Sequence, residues 1–406
     1  MTLAGEGDGK GSAMFGARRR QLFWLLLRGY LLMLPTLGIY RFWLATQKRR
    51  FYWHNTSIDG DPLEYTGTAA QLLLGFLFAV AFFLPIYIAF FYFSTQSAEV
   101  AVLGYSGVGL LFWYLTGYAI YRARDFRLSR TLWRGIRFDQ RGSAWGYATR
   151  RFFWSILVVL TLGLTYPFMA GSLWRYRYLN SWYGDRQFGF TGSWKTVAGP
   201  FYRTYFGLGL VFIATFYALS MSPPLTFDES QAAFGQGWLV ILAGLLLALV
   251  GWQYYRARTL TRLFSSIRIG QARLAVKVTA RALFAQCLIY GLSLLGVAAL
   301  AAAVTAGVAG LLSGGVSLTG LPNGEEVTRF LQTGWVQFAV VALAYLSVIA
   351  ALGLCFELVF GFGFWALVAR DATVTDAETL RSVRAAAEDR AVIGEGLADA
   401  LNVGSY

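Results

Sequence analysis

The chain reads as an all-α polytopic membrane protein with about six full transmembrane helices, two re-entrant or kinked segments and small cytoplasmic β-hairpins. Three observations predict this. Of the 406 residues 57% are hydrophobic and only 14% charged, too little charge to cover a soluble surface of that size. Several uncharged apolar runs reach the roughly 20 residues that cross a bilayer as helix. The stretch from Pro35 to Thr68 is also written again at an offset of 125 residues: Thr36-Leu37-Gly38 falls on Thr161-Leu162-Gly163, Arg50 on Arg175, Asn55 on Asn180 and Thr66-Gly67 on Thr191-Gly192. Such self-similarity implies an internal repeat of about 125–134 residues.

The elements follow in order. Residues 1–20 form a polar, basic N-terminus that reads as disordered, and 21–150 and 151–281 are two repeat units of the same design: broken segment, hairpin, two spans, hairpin. Residues 282–370 are a degenerate third unit of two long apolar helices, and 371–406 a cytoplasmic tail. No Lys or Arg occurs in 51–121, after which 122–151 carries nine arginines. The pattern returns with none in 204–255 and seven basic residues in 256–281. Each pair of spans therefore leaves the cytoplasm and comes back, with both termini cytoplasmic.

Segments 21–40 and 152–173 have basic residues on both flanks and are interrupted at Thr36 and Gly38, and at Thr161 and Gly163. Re-entry into the bilayer fits that pattern, with a kinked ordinary span as the alternative. After each basic cluster comes a short turn with regular glycine spacing: Gly60 and Gly67, Gly135 and Gly142, Gly184 and Gly192. With a degenerate fourth copy, SSIRIGQAR around Ser266 and Ile269, these read as a platform of small β-hairpins on the basic side, with Thr66 and Thr191 capping the helices that follow. Gly310 and Gly314 stand at GxxxG spacing, which suits close helix packing.

The motifs TLGIYRFW…RRFYWHNTSIDG…YTGT and RTLWRGIRF…GS…TLGLTYPF resemble the YjgN family of bacterial inner-membrane proteins, defined by a domain of unknown function. The likeness covers roughly residues 15–280 and implies a polytopic inner-membrane fold; it brings no activity or catalytic residues. The third unit departs from the pattern, with no TLG motif of its own.

Few residues carry chemistry. His54 is the only histidine and lies in an aromatic run, where an interfacial belt is the simplest reading. Asp59-Gly60-Asp61 has the D-x-D form of metal-using transferases but reads as a hairpin tip. Cys287 and Cys355 sit in apolar runs as small hydrophobes. Glu357 is the one acid deep in an apolar run, and Arg28 is its expected partner; together they form an intramembrane polar site. Lys48, Arg49, Arg50, Arg134, Arg137, Arg175, Arg177 and Arg268 are expected to touch anionic lipid headgroups. The formal charge of +14 is explained by topology and lipid, not nucleic acid.

No nucleophile–base pair, phosphate loop or metal cluster stands out, so no catalytic residue, metal or cofactor is predicted. Two functions from different classes remain. Broken segments and a buried acid favour transport or permeation of a small molecule or lipid. The alternative is a non-transport scaffold whose basic hairpins bind anionic lipid or a cytoplasmic partner. A transporter requires a polar cavity lined by Glu357 and the TLG breaks; a scaffold buries Glu357 against Arg28 in a sealed core.

Overall fold

The computed structural model describes residues 10–221, 236–312, 333–370 and 372–385. Residues 222–235 and 313–332, with Gly314 of the GxxxG pair, and the tail beyond 385 lie outside the described residues.

The expectation of an all-α protein with small separate hairpins is overturned. Ten strands close into one antiparallel barrel. They are β1 (Lys10–Phe15), β2 (Thr56–Ile58), β3 (Asp61–Tyr65), β4 (Thr131–Trp133), β5 (Ile136–Gln140), β6 (Ser181–Tyr183), β7 (Arg186–Phe190), β8 (Ile267–Ile269), β9 (Ala272–Ala275) and β10 (Thr373–Thr375). Each strand pairs with its neighbours in sequence, and β10 pairs with β1 to complete the ring. The expected hairpins exist, at β2–β3, β4–β5, β6–β7 and β8–β9, but they are staves of one barrel. Strands of three to six residues carry almost no period-2 signal, and their closing partners lie beyond long helical insertions. Closure also removes the unpaired edges that isolated hairpins would expose.

Connections alternate around the ring. Tight turns join β2–β3, β4–β5, β6–β7 and β8–β9 at one rim. At Asp59-Gly60 and Arg134-Gly135 both central residues have positive φ, as two-residue hairpins require (52° and 84°, 52° and 71°). From the other rim, a pair of helices bridges each remaining gap. These are α1 (Arg19–Met33) with α2 (Arg41–His54), α3 (Ala69–Ser94) with α4 (Ala98–Ser129), and α5 (Ala144–Leu160) with α6 (Tyr166–Leu179). They continue as α7 (Trp194–Ser220) with α8 (Gln236–Phe264), and α9 (Ala280–Leu312) with α10 (Gly334–Phe356). The last passes through a π-turn, Glu357–Gly361, into α11 (Phe362–Arg370). Each helix packs on its chain neighbours and α1 also meets α10, so a ring of helices stands on a ring of strands.

Among the described residues six stretches are long and apolar enough to cross a membrane: Ala69–Ser94, Ala98–Ser129, Trp194–Ser220, Leu239–Phe264, Ala280–Gly307 and Gly334–Arg370. Away from the barrel they carry exposed side chains such as Phe78, Leu103, Phe212 and Leu292, the surface a bilayer would solvate. The two broken segments are shorter. Each is a helical hairpin of about 22 Å per arm whose ends join adjacent strands, β1 and β2 or β5 and β6, so the chain returns to the rim it left.

The barrel is filled by side chains. Ile58, Leu63, Trp133, Phe138, Tyr183, Phe188, Ile269 and Val374 form one core, with Trp133 2% and Tyr183 0% exposed. The Tyr183 hydroxyl donates to the Trp133 carbonyl at 3.0 Å, and burial pushes its phenol up to about 12. After β10 the chain makes a 3₁₀ turn, Ala377–Ser382, and lays Leu380 and Val383 into the same core. It then lies against the β6–β7 turn: Asp185 N donates to Arg384 O at 3.0 Å, and Arg384 N to Asp185 Oδ1 at 3.1 Å. The turn end of the barrel is thereby capped.

Candidate functional site at the junction of barrel and helices

The TLG breaks are local turns. Thr36 Oγ1 donates to Leu32 O at 2.7 Å and accepts from Tyr40 N at 3.2 Å. Thr161 Oγ1 donates to Leu157 O at 2.7 Å and accepts from Thr165 N at 3.2 Å. Leu37 and Gly38 take φ of 48° and 85°, and Leu162 and Gly163 of 51° and 96°, so each helix ends on two left-handed residues. The leucines sit at the apices, 93% and 82% exposed. No TLG residue lines a polar cavity with Glu357.

Glu357 opens the π-turn, a geometry frequent where a helix positions a functional side chain. Its carboxylate lies over Gly361, where a Cβ would come within 2.5 Å of Oε1. Lys48 Nζ donates to Oε2 at 2.9 Å, and Tyr52 Oη to Oε1 at 3.0 Å. Arg28, the partner expected from sequence, is exposed on α1 and does not take part; Lys48 lies about two turns into α2 and meets the π-turn. A pocket of about 190 Å³ opens beside this pair, lined by Leu26, Tyr30, Met33, Leu44, Lys48 and Glu357 among others. Burial and the nearby Glu357 carboxylate raise the Tyr30 phenol above its ordinary range.

The remaining basic residues divide by what they touch. Arg49 donates to Tyr65 Oη at 2.9 Å and Arg50 to Gly67 O at 3.1 Å. Arg134 clamps Asp59 and Asp61, so the D-x-D acids tie two barrel turns together rather than gather a metal. Arg137 is half-buried on β5. Arg268 packs over Gly189 across the β7–β8 pair, and Arg175 is exposed on α6. Gly60, Gly135 and Gly184 lie in strand turns, whereas Gly67, Gly142 and Gly192 lie at the opposite rim between strand and helix. Thr66 and Thr191 do not cap helices: their hydroxyls donate to Arg130 O and Ser266 O, both at 3.2 Å. Thr68, two residues on, accepts the α3 cap bond from Gln71 N.

A second polar group, which sequence reading missed, surrounds the base of α5–α6. Arg124 of α4 reaches into the barrel mouth, where Nη1 donates to Gln140 Oε1 at 2.7 Å and Ser181 Oγ at 2.9 Å. Its guanidinium stacks 4.8 Å from the Tyr178 ring centroid, and that of Arg177 lies 5.1 Å from Trp174. Arg177 is in electrostatic range of both Arg124 and Arg151. Burial holds Arg151 below its usual value; Tyr147 offsets part of this and Arg177 adds to it. The signal was present in the sequence only as arginines scattered over two units.

Among the described residues no group of His, Cys, Asp and Glu is arranged to hold a metal. The family described as bacterial protein of unknown function (DUF898) matches residues 11–400, and the chain belongs to it. No curated protein and no solved structure matches the chain.

Proposed function

We propose that this DUF898 chain is a non-transport membrane platform, a closed cytoplasmic barrel held at an anionic membrane surface by the arginines around its helix rim. The observation that carries this reading is the filled and capped barrel directly under the helices, with Glu357 neutralised by Lys48 and Tyr52. A buried acid with a cation and a phenol on its two oxygens is a structural pair by default. The charge pattern supports the bacterial inner membrane, with barrel and termini on the cytoplasmic side. The paired TLG units, bent by the same hydrogen bonds, support a repeated architecture of the YjgN type.

Transport of a small molecule or lipid remains the second reading, and it rests on the pocket beside Glu357. The two separate in proteoliposomes loaded with a pH-sensitive dye. The platform reading expects no proton flux above that of empty vesicles, and a thermal midpoint that rises when phosphatidylglycerol replaces part of the phosphatidylcholine. A proton flux abolished by Glu357→Gln, in a variant that keeps its thermal midpoint, overturns it in favour of transport.

A further inference from the structure

The base of the second helical hairpin holds more hydrogen-bond donors than acceptors. Arg151 Nε and Arg177 Nε are buried and have no hydrogen-bond partner. Because an arginine only donates, the bond from Arg124 fixes the Gln140 oxygen toward it and turns the amide nitrogen to the Tyr121 phenol. The two acids nearest in sequence are engaged elsewhere, Asp125 on Arg122 at 2.9 Å and Asp139 on Arg141 at 3.0 Å. Buried polar groups are normally paired, so two orphaned guanidinium donors at one junction mark a place built for an acceptor.

The fold itself does not demand cations there. At the same offset of 125 residues, Gln140, Arg151 and Arg177 correspond to Phe15, Leu26 and Tyr52. Those three lie together in a buried apolar core at the base of the first hairpin. The junction can be sealed with hydrocarbon, and in the second hairpin it is not.

We propose that Arg151 and Arg177, with the charge of Arg124 beside them, form a binding site for a phosphate group, carried by a lipid headgroup or free in solution. The guanidinium fork matches phosphate oxygens two at a time; Arg124 is spent on Gln140, Ser181 and the Arg177 carbonyl, whereas the Trp174 face holds the Arg177 fork and leaves its Nε to donate. The site deepens the platform reading and rests on it, since it turns a general attraction to anionic lipid into contact with named side chains.

The test uses the full-length protein in phosphatidylcholine nanodiscs. One arm adds inorganic phosphate; the other adds phosphatidic acid to the disc with no free phosphate. The thermal midpoint is expected to rise in the lipid arm if the phosphate is a headgroup, in the soluble arm if it is free, and in both if the pocket reads phosphate alone. Arg151→Met and Arg177→Met are each expected to raise the midpoint without ligand, because each removes a buried donor that has no partner, and to weaken the ligand response at least tenfold. Arg151→Lys, which keeps the charge but loses the fork, should fold as the parent and weaken the response about tenfold. A merely structural arginine predicts the opposite sign, a lower midpoint in the methionine variants without ligand, and that result overturns the site. An undiminished response to phosphatidic acid in all three variants also overturns it while leaving the platform standing. No response of the parent protein in either arm removes both.

Discussion

The two helical hairpins, α1–α2 and α5–α6, have the same frame and opposite chemistry. Each bends at a Thr-Leu-Gly whose threonine makes matching bonds at its apex, and each returns to the neighbouring strand of one barrel. Yet the base of the first is apolar, with a single carboxylate presented from the π-turn and satisfied by Lys48 and Tyr52. The base of the second is cationic, with buried donors left over. The lesson is that the turn and the strands it joins set the scaffold, while three side chains facing inward decide what it can hold.

Substitutions at matched depths sharpen that contrast. The largest effect is expected for Gly171→Ala in α6, where the new Cβ would lie 2.9 Å from the Trp194 backbone nitrogen. Backbone cannot yield, so equilibrium unfolding in detergent should show a loss of about 3 kcal/mol. In the first hairpin Gly29→Ala would bring its Cβ within 2.4 Å of Leu44 Cδ1, the end of a flexible side chain, and should cost only about 1 kcal/mol. Equal losses at the two sites would show that the hairpins are packed alike.

Next comes the ion pair. Lys48→Met strands Glu357, and the expected loss is on the order of 2 kcal/mol, below that of a sealed pair because the Lys48 side chain is 34% exposed. Adding Glu357→Gln to Lys48→Met should recover most of it, which a double-mutant cycle would measure. Methionine therefore destabilises at the cation of the first hairpin and stabilises at those of the second. The same sign in both would break the comparison.

The smallest effects belong to the apices. Thr36→Val and Thr161→Val each remove a hydroxyl bonded to the preceding turn, for about 1 kcal/mol apiece in the same unfolding assay. Thr161 also bonds the Thr165 hydroxyl at 2.9 Å, where the first hairpin has Tyr40, so its loss should be the larger by a few tenths of a kcal/mol.

Much of the architecture was legible in the chain. The six long apolar helices, the tight turns at Gly60, Gly135 and Gly184, and the breaks at the TLG motifs are all written within a few consecutive residues. So is the reading of Asp59-Gly60-Asp61 as a turn, which the Arg134 clamp explains. The site was only half legible. Glu357 stood out because an acid in an apolar run is rare, but its partner was assigned to Arg28 when helix phase and the π-turn select Lys48.

The sequence by itself thus determined the membrane class, the positions of the spans and the bends, because hydrophobic length, charge bias and glycine conformation act over one helix or one turn. Only the tertiary structure decided that the hairpins close into a barrel, that Glu357 meets a lysine 309 residues away, and that three arginines converge at one rim. Those contacts depend on ring closure across long insertions, and pairing at such separation leaves no local pattern for a single chain to display.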